Sequence, residues 1–328
     1  MDTNQNKNFY IKKIKDNNQR EYNVFFVKYD VPLSDEILQE MAKYEIVEFD
    51  DDFNQPVGNL PTGIKSITFG NCFNQPIDYL PAGLQGLKFG SKFNQSVEFK
   101  RTRSFEHPLG DILSPTDNLP TGITSLTFGK KFNQQVDNLP TGITSLTFGK
   151  KFNQQVDNLP TGLRDLEFGG YFNQKVDNLP SGLHSLTFGT LFNQPLNNLP
   201  SGLQSLEFGR EFNQPVRNLP KDLQYIRFGD DFNQSIDNLP IGLLSLTFGN
   251  EFNQPINNLP SVLYNLTFGR DFNHPVENLP VGLKNLTLGS NFNYSANNLP
   301  IGLKRLTISE NYKKPLDNLP VSVEIRRY

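Results

Sequence analysis

Phe-Asn-Gln recurs at Phe53, Phe73, Phe93, Phe132, Phe152, Phe172, Phe192, Phe212, Phe232 and Phe252, and continues as Phe-Asn-His at Phe272. Every step is 20 residues except that from Phe93 to Phe132, which is 39. A unit this short cannot bury an apolar face alone. It must stack on its copies, so the period dictates a solenoid. Such stacks present long surfaces and seldom assemble a catalytic cleft.

One unit, Phe192 to Glu211, shows what each position does. Leu203-Gln204-Ser205-Leu206-Glu207-Phe208 ends in a Leu-x-Phe alternation, which predicts a strand with Leu206 and Phe208 on its buried face. Gly209 ends that strand, and Phe212 follows as a second aromatic. The Phe208-type and Phe212-type positions are expected to stack as two columns inside the coil, which accounts for 28 Phe in a chain without Trp. Asn198-Leu199-Pro200-Ser201-Gly202 cannot sustain a helix, because proline lacks the N–H donor; Gly202 is read as supplying a turn or a positive φ.

Two asparagine series accompany the period. One runs Asn54, Asn74, Asn94, Asn133 and onward to Asn293; the other runs Asn59, Asn118, Asn138 and onward to Asn318. Identical amides in stacked coils can bond the backbone of the next coil, so both series are expected to form structural ladders.

Phe73-Asn74-Gln75-Pro76-Ile77 and Phe252-Asn253-Gln254-Pro255-Ile256, with the recurring Leu-Pro-x-Gly-Leu-x-x-Leu-x-Phe-Gly, resemble FNIP repeats. These are a leucine-rich-repeat variant of social amoebae and giant amoeba-infecting viruses, and the resemblance covers roughly residues 44–320. It implies a leucine-rich-repeat-like solenoid in an intracellular protein, often joined to an F-box or kinase domain. If the chain is viral, it implies the host cell cytoplasm. Neither associated domain is visible here.

The fold class is therefore mainly β: a leucine-rich-repeat-like solenoid of 20-residue coils with a stacked parallel sheet, preceded by a β-hairpin and short helix cap. Residues 1–43 form the cap and 44–328 the solenoid. Phe9–Lys15 and Tyr22–Tyr29 flank Asp16-Asn17-Asn18-Gln19 as a hairpin. Ser34 precedes Asp35 and Glu36 as a helix N-cap. Tyr44–Asp50 falls in register with Ile64–Gly70, so the first coil strand lies there. The hairpin serves as a lid over the open core, with docking or dimerisation as its other role. A C-terminal cap spans 312–328, with Arg326 where other coils place an inward Leu and a charge discourages further strand addition. The 39-residue step is read as an irregular coil over 93–111, one residue short. Residues 117–136 and 137–156 are identical.

Net charge is −3, so no global attraction draws nucleic acid, and a nucleic-acid partner is disfavoured. A single cysteine, Cys72, excludes an internal disulfide framework, and no apolar run is long enough to span a bilayer. The reading is cytoplasmic, with no membrane association. His107, His184 and His274 are scattered along the chain, and no metal or phosphate-binding motif occurs. The chain is expected to be no enzyme, with no catalytic residues, metal or cofactor.

The outward strand positions form a Thr/Ser ladder broken at Asp165, Glu167, Glu207, Tyr225 and Arg227; Tyr and Arg amid small polar residues are usual interface anchors. A basic cluster gathers Lys88, Lys92, Lys100, Arg101, Arg103, Lys130, Lys131, Lys150 and Lys151 around the defect. The function expected is a non-enzymatic protein–protein interaction scaffold that binds a partner on the solenoid surface. One alternative is a ubiquitin-ligase substrate-recognition subunit, recruited through the N-terminal segment. Another is anion or RNA binding at the lysine patch. A homodimer through the hairpin or the C-terminal edge is compatible with each.

Overall fold

The computed structural model describes residues 8–16, 19–97, 119–316, 318–320 and 322–328. The chain divides into two compact units, Met1–Leu163 and Arg164–Tyr328. The first holds β1 (Phe9–Lys15), β2 (Glu21–Val27), α1 (Asp35–Met41), β3 (Ile46–Phe49), β4 (Ser66–Thr68), β5 (Gly86–Lys88), β6 (Ser125–Thr127) and β7 (Ser145–Thr147). The second holds β8 (Asp165–Glu167), β9 (Ser185–Thr187), β10 (Ser205–Glu207), β11 (Tyr225–Arg227), β12 (Ser245–Thr247), β13 (Asn265–Thr267), β14 (Asn285–Thr287), β15 (Arg305–Ile308) and β16 (Glu324–Arg327). From β3 onward, strands within each unit pair in parallel with their sequence neighbours, aliphatic above aliphatic, as Val47 with Ile67, Leu126 with Leu146 and Leu206 with Ile226.

The Leu-x-Phe alternation produces the expected core. Leu206, Leu223 and Phe212 are fully buried, while Ser205 and Glu207 are only half-buried on the other face. Phe208 and Phe212 lie 3.8 Å apart as near-parallel rings. From coil to coil, the first column steps 5.6 Å (Phe208 to Phe228) and the second 6.1 Å (Phe212 to Phe232). Hydrogen-bonded strands are spaced about 4.8 Å apart. The coils therefore fan apart away from the strands, which puts the sheet on the inner side of the bend within each unit.

The two glycines of each unit do different work. Gly202 sits in a turn closed by the Leu203 N–H donating to the Pro200 carbonyl at 3.2 Å. Its φ is not left-handed, and a Cβ there would meet open space. The expected positive φ is thus not used, because proline already starts a turn that ordinary φ values complete. Gly209 is the position that excludes a side chain: an added Cβ would lie 2.0 Å from the Gly189 carbonyl oxygen. Coils stack backbone to backbone at this column within each unit, from Gly70 against Asp50 to Gly149 against Gly129 in the first and from Gly189 against Gly169 to Gly289 against Gly269 in the second.

The first asparagine series is a ladder. Asn74 N–H donates to Asn54 Oδ1 at 2.8 Å, and the same bond joins Asn213 to Asn193 and Asn233 to Asn213, each at 3.0 Å. Gln75, Gln214 and Gln234 add a second rung, and His274 takes that place near the end, Nε2 lying 3.0 Å from the Asn253 carbonyl. Asp30 starts the ladder from outside the period, accepting from Asn54 N–H and Gln55 Nε2, both at 2.8 Å. The second series is different. From Asn59 to Asn318 its described members are exposed at the turn before Leu-Pro, where backbone groups have water.

The long step also resolves. β5 pairs directly with β6, Leu87 opposite Leu126. Phe89 stacks on Phe128 at 5.9 Å, Phe93 on Phe132 at 6.2 Å, and Asn133 N–H reaches Asn94 Oδ1 at 2.9 Å. Strands at hydrogen-bonding distance leave no place between them for another. An irregular coil over 93–111 is therefore excluded as a layer of the stack: Phe93 belongs to a regular coil, and the step is one coil plus 19 added residues. Those additions lie within 98–118, outside the described residues, between Val97 and Leu119, where another coil has only Asp137-Asn138.

Both ends are closed by aromatics. β1 and β2 form the antiparallel hairpin, and β2 joins β3 in parallel with Phe25 opposite Val47. Phe25 is fully buried between Phe9 (4.9 Å) and Tyr44 (5.6 Å). Ser34 Oγ accepts from Ile37 N–H, starting α1, whose Ile37 and Met41 are buried. At the other end Tyr312 replaces Phe, donating to the Tyr294 carbonyl at 3.0 Å and accepting from Ala296 N–H at 3.1 Å. Arg326 is not in the inward Leu register: Leu306 pairs with Ile325 and Thr307 with Arg326. A one-residue slip exchanges the two faces of a strand, and this register keeps the charge on the solvent side.

Candidate interaction surfaces

The five exceptions on the outward strand face all lie in the second unit. Register places Tyr225 beside Ser205 and Arg227 beside Glu207 on adjacent strands. The Glu207 carboxylate and the Arg227 guanidinium both act on the Tyr225 phenol. Burial pushes that phenol above the usual tyrosine range, and the Glu207 carboxylate adds to this while Arg227 opposes it. Asp165 and Glu167 share β8, where both are exposed. β9 separates them from β10, with Thr187 between Glu167 and Glu207 in the row. The structure thus brings Glu207, Tyr225 and Arg227 into one group and sets an acidic pair two strands away.

The basic cluster divides in two. Lys100, Arg101 and Arg103 lie outside the described residues, as does His107. Lys88, on β5, and Lys92, Lys130, Lys131, Lys150 and Lys151, in the turns after the strands, are all exposed on the first unit. Lys131 N–H donates to the Ser91 carbonyl and Lys151 N–H to the Lys130 carbonyl, each at 2.9 Å, so these turns stack in register. Lys92 Nζ lies 3.3 Å from Cys72 Sγ. His184 is occupied by the Gly182 carbonyl at 2.7 Å. Among the described residues no group of three or more His, Cys, Asp or Glu is placed to hold a metal ion, and no helix is long and apolar enough to cross a membrane.

Short parallel strands stacked coil on coil, with aromatic columns and an amide ladder behind them, define a leucine-rich-repeat-like solenoid. The chain belongs to the FNIP repeat family, whose model matches residues 53–92, 115–151, 135–171, 152–191, 192–231, 212–251 and 232–271. Among solved structures it is similar to CroV588, described as a novel circular LRR protein structure, with 36% identity and a TM-score of 0.70 over 88% of this chain. It is also similar to YopM from Yersinia enterocolitica WA-314, at 18% identity and a TM-score of 0.50, a likeness of fold. The chain spans 48% of the CroV588 chain and 64% of the YopM chain. Comparison with curated proteins gave no match.

Sequence reasoning missed Asp30, which lies 24 residues before Asn54 and so escapes a 20-residue register.

Proposed function

We propose that this chain is a non-enzymatic protein–protein interaction scaffold whose partner binds the sheet face at Glu207, Tyr225 and Arg227, flanked by Asp165 and Glu167. The observation that carries it is the convergence of an aromatic, a cation and an acid on the adjacent strands β10 and β11, in rows built mostly of Ser, Thr and Asn. Tyr and Arg in this setting are the side chains that concentrate binding energy. The leucine-rich-repeat-like fold, which generally mediates protein–protein contacts, supports the same reading. A photocrosslinker at Ser205 or Thr247 should capture the partner, and one at Ser125 should not. Changing Tyr225 and Arg227 to Ala should then weaken binding about tenfold or more for each anchor. Unchanged affinity in the double variant would reject this face.

A second reading rests on the stacked lysine turns. Like charges repeated about 5 Å apart repel, and an anionic partner relieves them. Its test is salt-dependent retention on heparin, lost in Lys131→Glu with Lys151→Glu. Ligase recruitment through the N-terminal segment has less support, because its hairpin and helix bury Phe25, Ile37 and Met41 as an end cap. Edge-to-edge dimers are opposed by Lys12, Lys13 and Lys15 on β1 and by Arg326 and Arg327 on β16. A cytoplasmic location accompanies the proposal, in keeping with the free thiol of Cys72.

A further inference from the structure

Each Leu-Pro-x-Gly-Leu-y turn leads into a strand, and x and y are polar through most of the stack, as in Thr141 and Thr144, Ser201 and Gln204, or Lys221 and Gln224. In four consecutive coils this changes. Ile241, Val281 and Ile301 occupy x and are 86%, 79% and 90% exposed, and Val262, in the neighbouring glycine position, is 47% exposed. Leu244 and Tyr264 occupy y and are exposed as well. Isolated exposed aliphatics are ordinary; a strip in register over adjacent coils marks an interaction site. Val262 stands in the turn-glycine column, where an added Cβ at Gly202 meets nothing within 4 Å.

The y residues form a continuous line. Leu244 N–H donates to the Gln224 carbonyl, Tyr264 to Leu244, Lys284 to Tyr264 and Lys304 to Lys284, at 2.8–2.9 Å. The line turns from apolar to cationic at Lys284, whose Nζ would lie 2.6 Å from a Cβ added at Gly302 and so sits beside Ile301. Arg305 is already held by Glu324 at 3.1 Å; Lys284 and Lys304 continue the y line, and Lys221 precedes Ile241 in the x column.

We propose that this strip docks an amphipathic helix of a partner protein, with its aliphatic side chains on Ile241, Val262, Val281 and Ile301 and its acidic flank on Lys284 and Lys304. The repeat selects the helix. Coils at the sheet advance about 4.8 Å, and a helix presents side chains once per turn, about 5.4 Å. An extended peptide presents alternate residues about 6.8 Å apart and falls out of step by about 2 Å per coil. Four coils match about three helical turns, or about 11 residues. The strip adjoins the Tyr225 group, since Ser245 next to Leu244 lies opposite Tyr225, but the two readings rest on different side chains, so either can fail alone.

The probe is a fluorescein-labelled 14-residue peptide with Leu at helical a and d positions and Glu on the flank, followed by anisotropy against the full chain. Saturable binding is expected. A peptide with central proline and one with Lys in place of Glu should each bind at least about tenfold more weakly, a difference of about 1.4 kcal/mol. Ile241→Ser with Ile301→Ser should lose binding, and Lys284→Glu with Lys304→Glu should shift preference to the Lys peptide; Ile241, Ile301 and Lys304 are exposed and Lys284 half-buried, so circular dichroism of both variants should match wild type. Tyr225→Ala should bind the peptide normally. Equal binding by wild type and the Ile241→Ser, Ile301→Ser variant, or by the proline peptide, would overturn the proposal. So would a dimer in sedimentation that the same variant dissociates, which would make a second copy the occupant.

Discussion

Replacing Gly209 and Gly202 separately by alanine tests the stacking argument most directly, because the two glycines lie seven residues apart in one unit with opposite surroundings. At Gly209 the added Cβ would lie 2.0 Å from the Gly189 carbonyl oxygen, 2.3 Å from its carbon and 2.7 Å from Thr190 N. Ordinary carbon–oxygen contact needs more than an ångström beyond this, and every nearby atom is backbone, so no rotamer change relieves it. The neighbouring coil must move away, which loosens Phe208 and Phe212 from Phe188 and Phe192. Overpacking in a core costs about 1–3 kcal/mol, and this displacement of backbone belongs at or above the top of that range. At Gly202 nothing lies within 4 Å of the added methyl and φ is ordinary. Alanine there should be neutral or stabilising by about 0.4–1 kcal/mol, through the unfolded chain. Urea unfolding followed by circular dichroism gives the comparison. Hydrogen exchange at β9 and β10 localises it, since long repeat arrays open in sections. Equal midpoints for the two variants would refute the backbone-to-backbone account of coil spacing.

Other outcomes follow from single contacts. Asn213→Ala should cost about 1–3 kcal/mol in urea unfolding, because Asn213 Oδ1 accepts from both Asn233 N–H and Gln234 Nε2. Exposed Asn218→Ala should fall within about 0.5 kcal/mol of wild type. Tyr312→Phe removes the hydroxyl that joins the Tyr294 carbonyl to Ala296 N–H and should speed hydrogen exchange at Ala296 without altering β9. Glu324 is held below its usual value of 4.5 by hydrogen bonds from Arg326 and then Arg305. Its contribution is therefore present above pH 4.5 and lost as pH falls through the lowered folded value. Protection factors at β16, corrected for the intrinsic pH dependence of exchange, should fall over that acid range in wild type and show no such step in Glu324→Gln. Replacing residues 98–118 by Asp-Asn, the length another coil has there, should leave the β5–β6 contact intact and change stability by no more than about 2 kcal/mol; loss of folding would show that those residues complete the stack.

The period made the packing legible because stacking demands the same residue in every layer. Leu206, Phe208, Phe212 and Asn213 could be assigned from repetition alone, and each stands where the pattern placed it. Arithmetic along the chain was a weaker guide wherever the period broke. A step of 39 residues is equally a short coil or one coil with 19 additions, and only the pairing of Leu87 with Leu126 separates them. Arg326 fell on the wrong face for a related reason: the last strand slips one residue, and in a strand that exchanges inside for outside.

The glycines carry the more general lesson, since residue chemistry favoured a positive φ at the turn, whereas the steric demand lay at the other glycine. Yet the copies held that answer. The Gly202 column admits Asp222, Val262 and Ser322, while the Gly209 column is glycine from Gly70 to Gly289. A column that tolerates a charge, a β-branched residue and a hydroxyl cannot be one where backbone touches backbone. The same comparison works outward. Positions that face solvent are free to vary, so a departure there that recurs in neighbouring coils, as from Ile241 to Ile301, or that gathers complementary chemistry, as at Glu207, Tyr225 and Arg227, calls for a cause outside the fold.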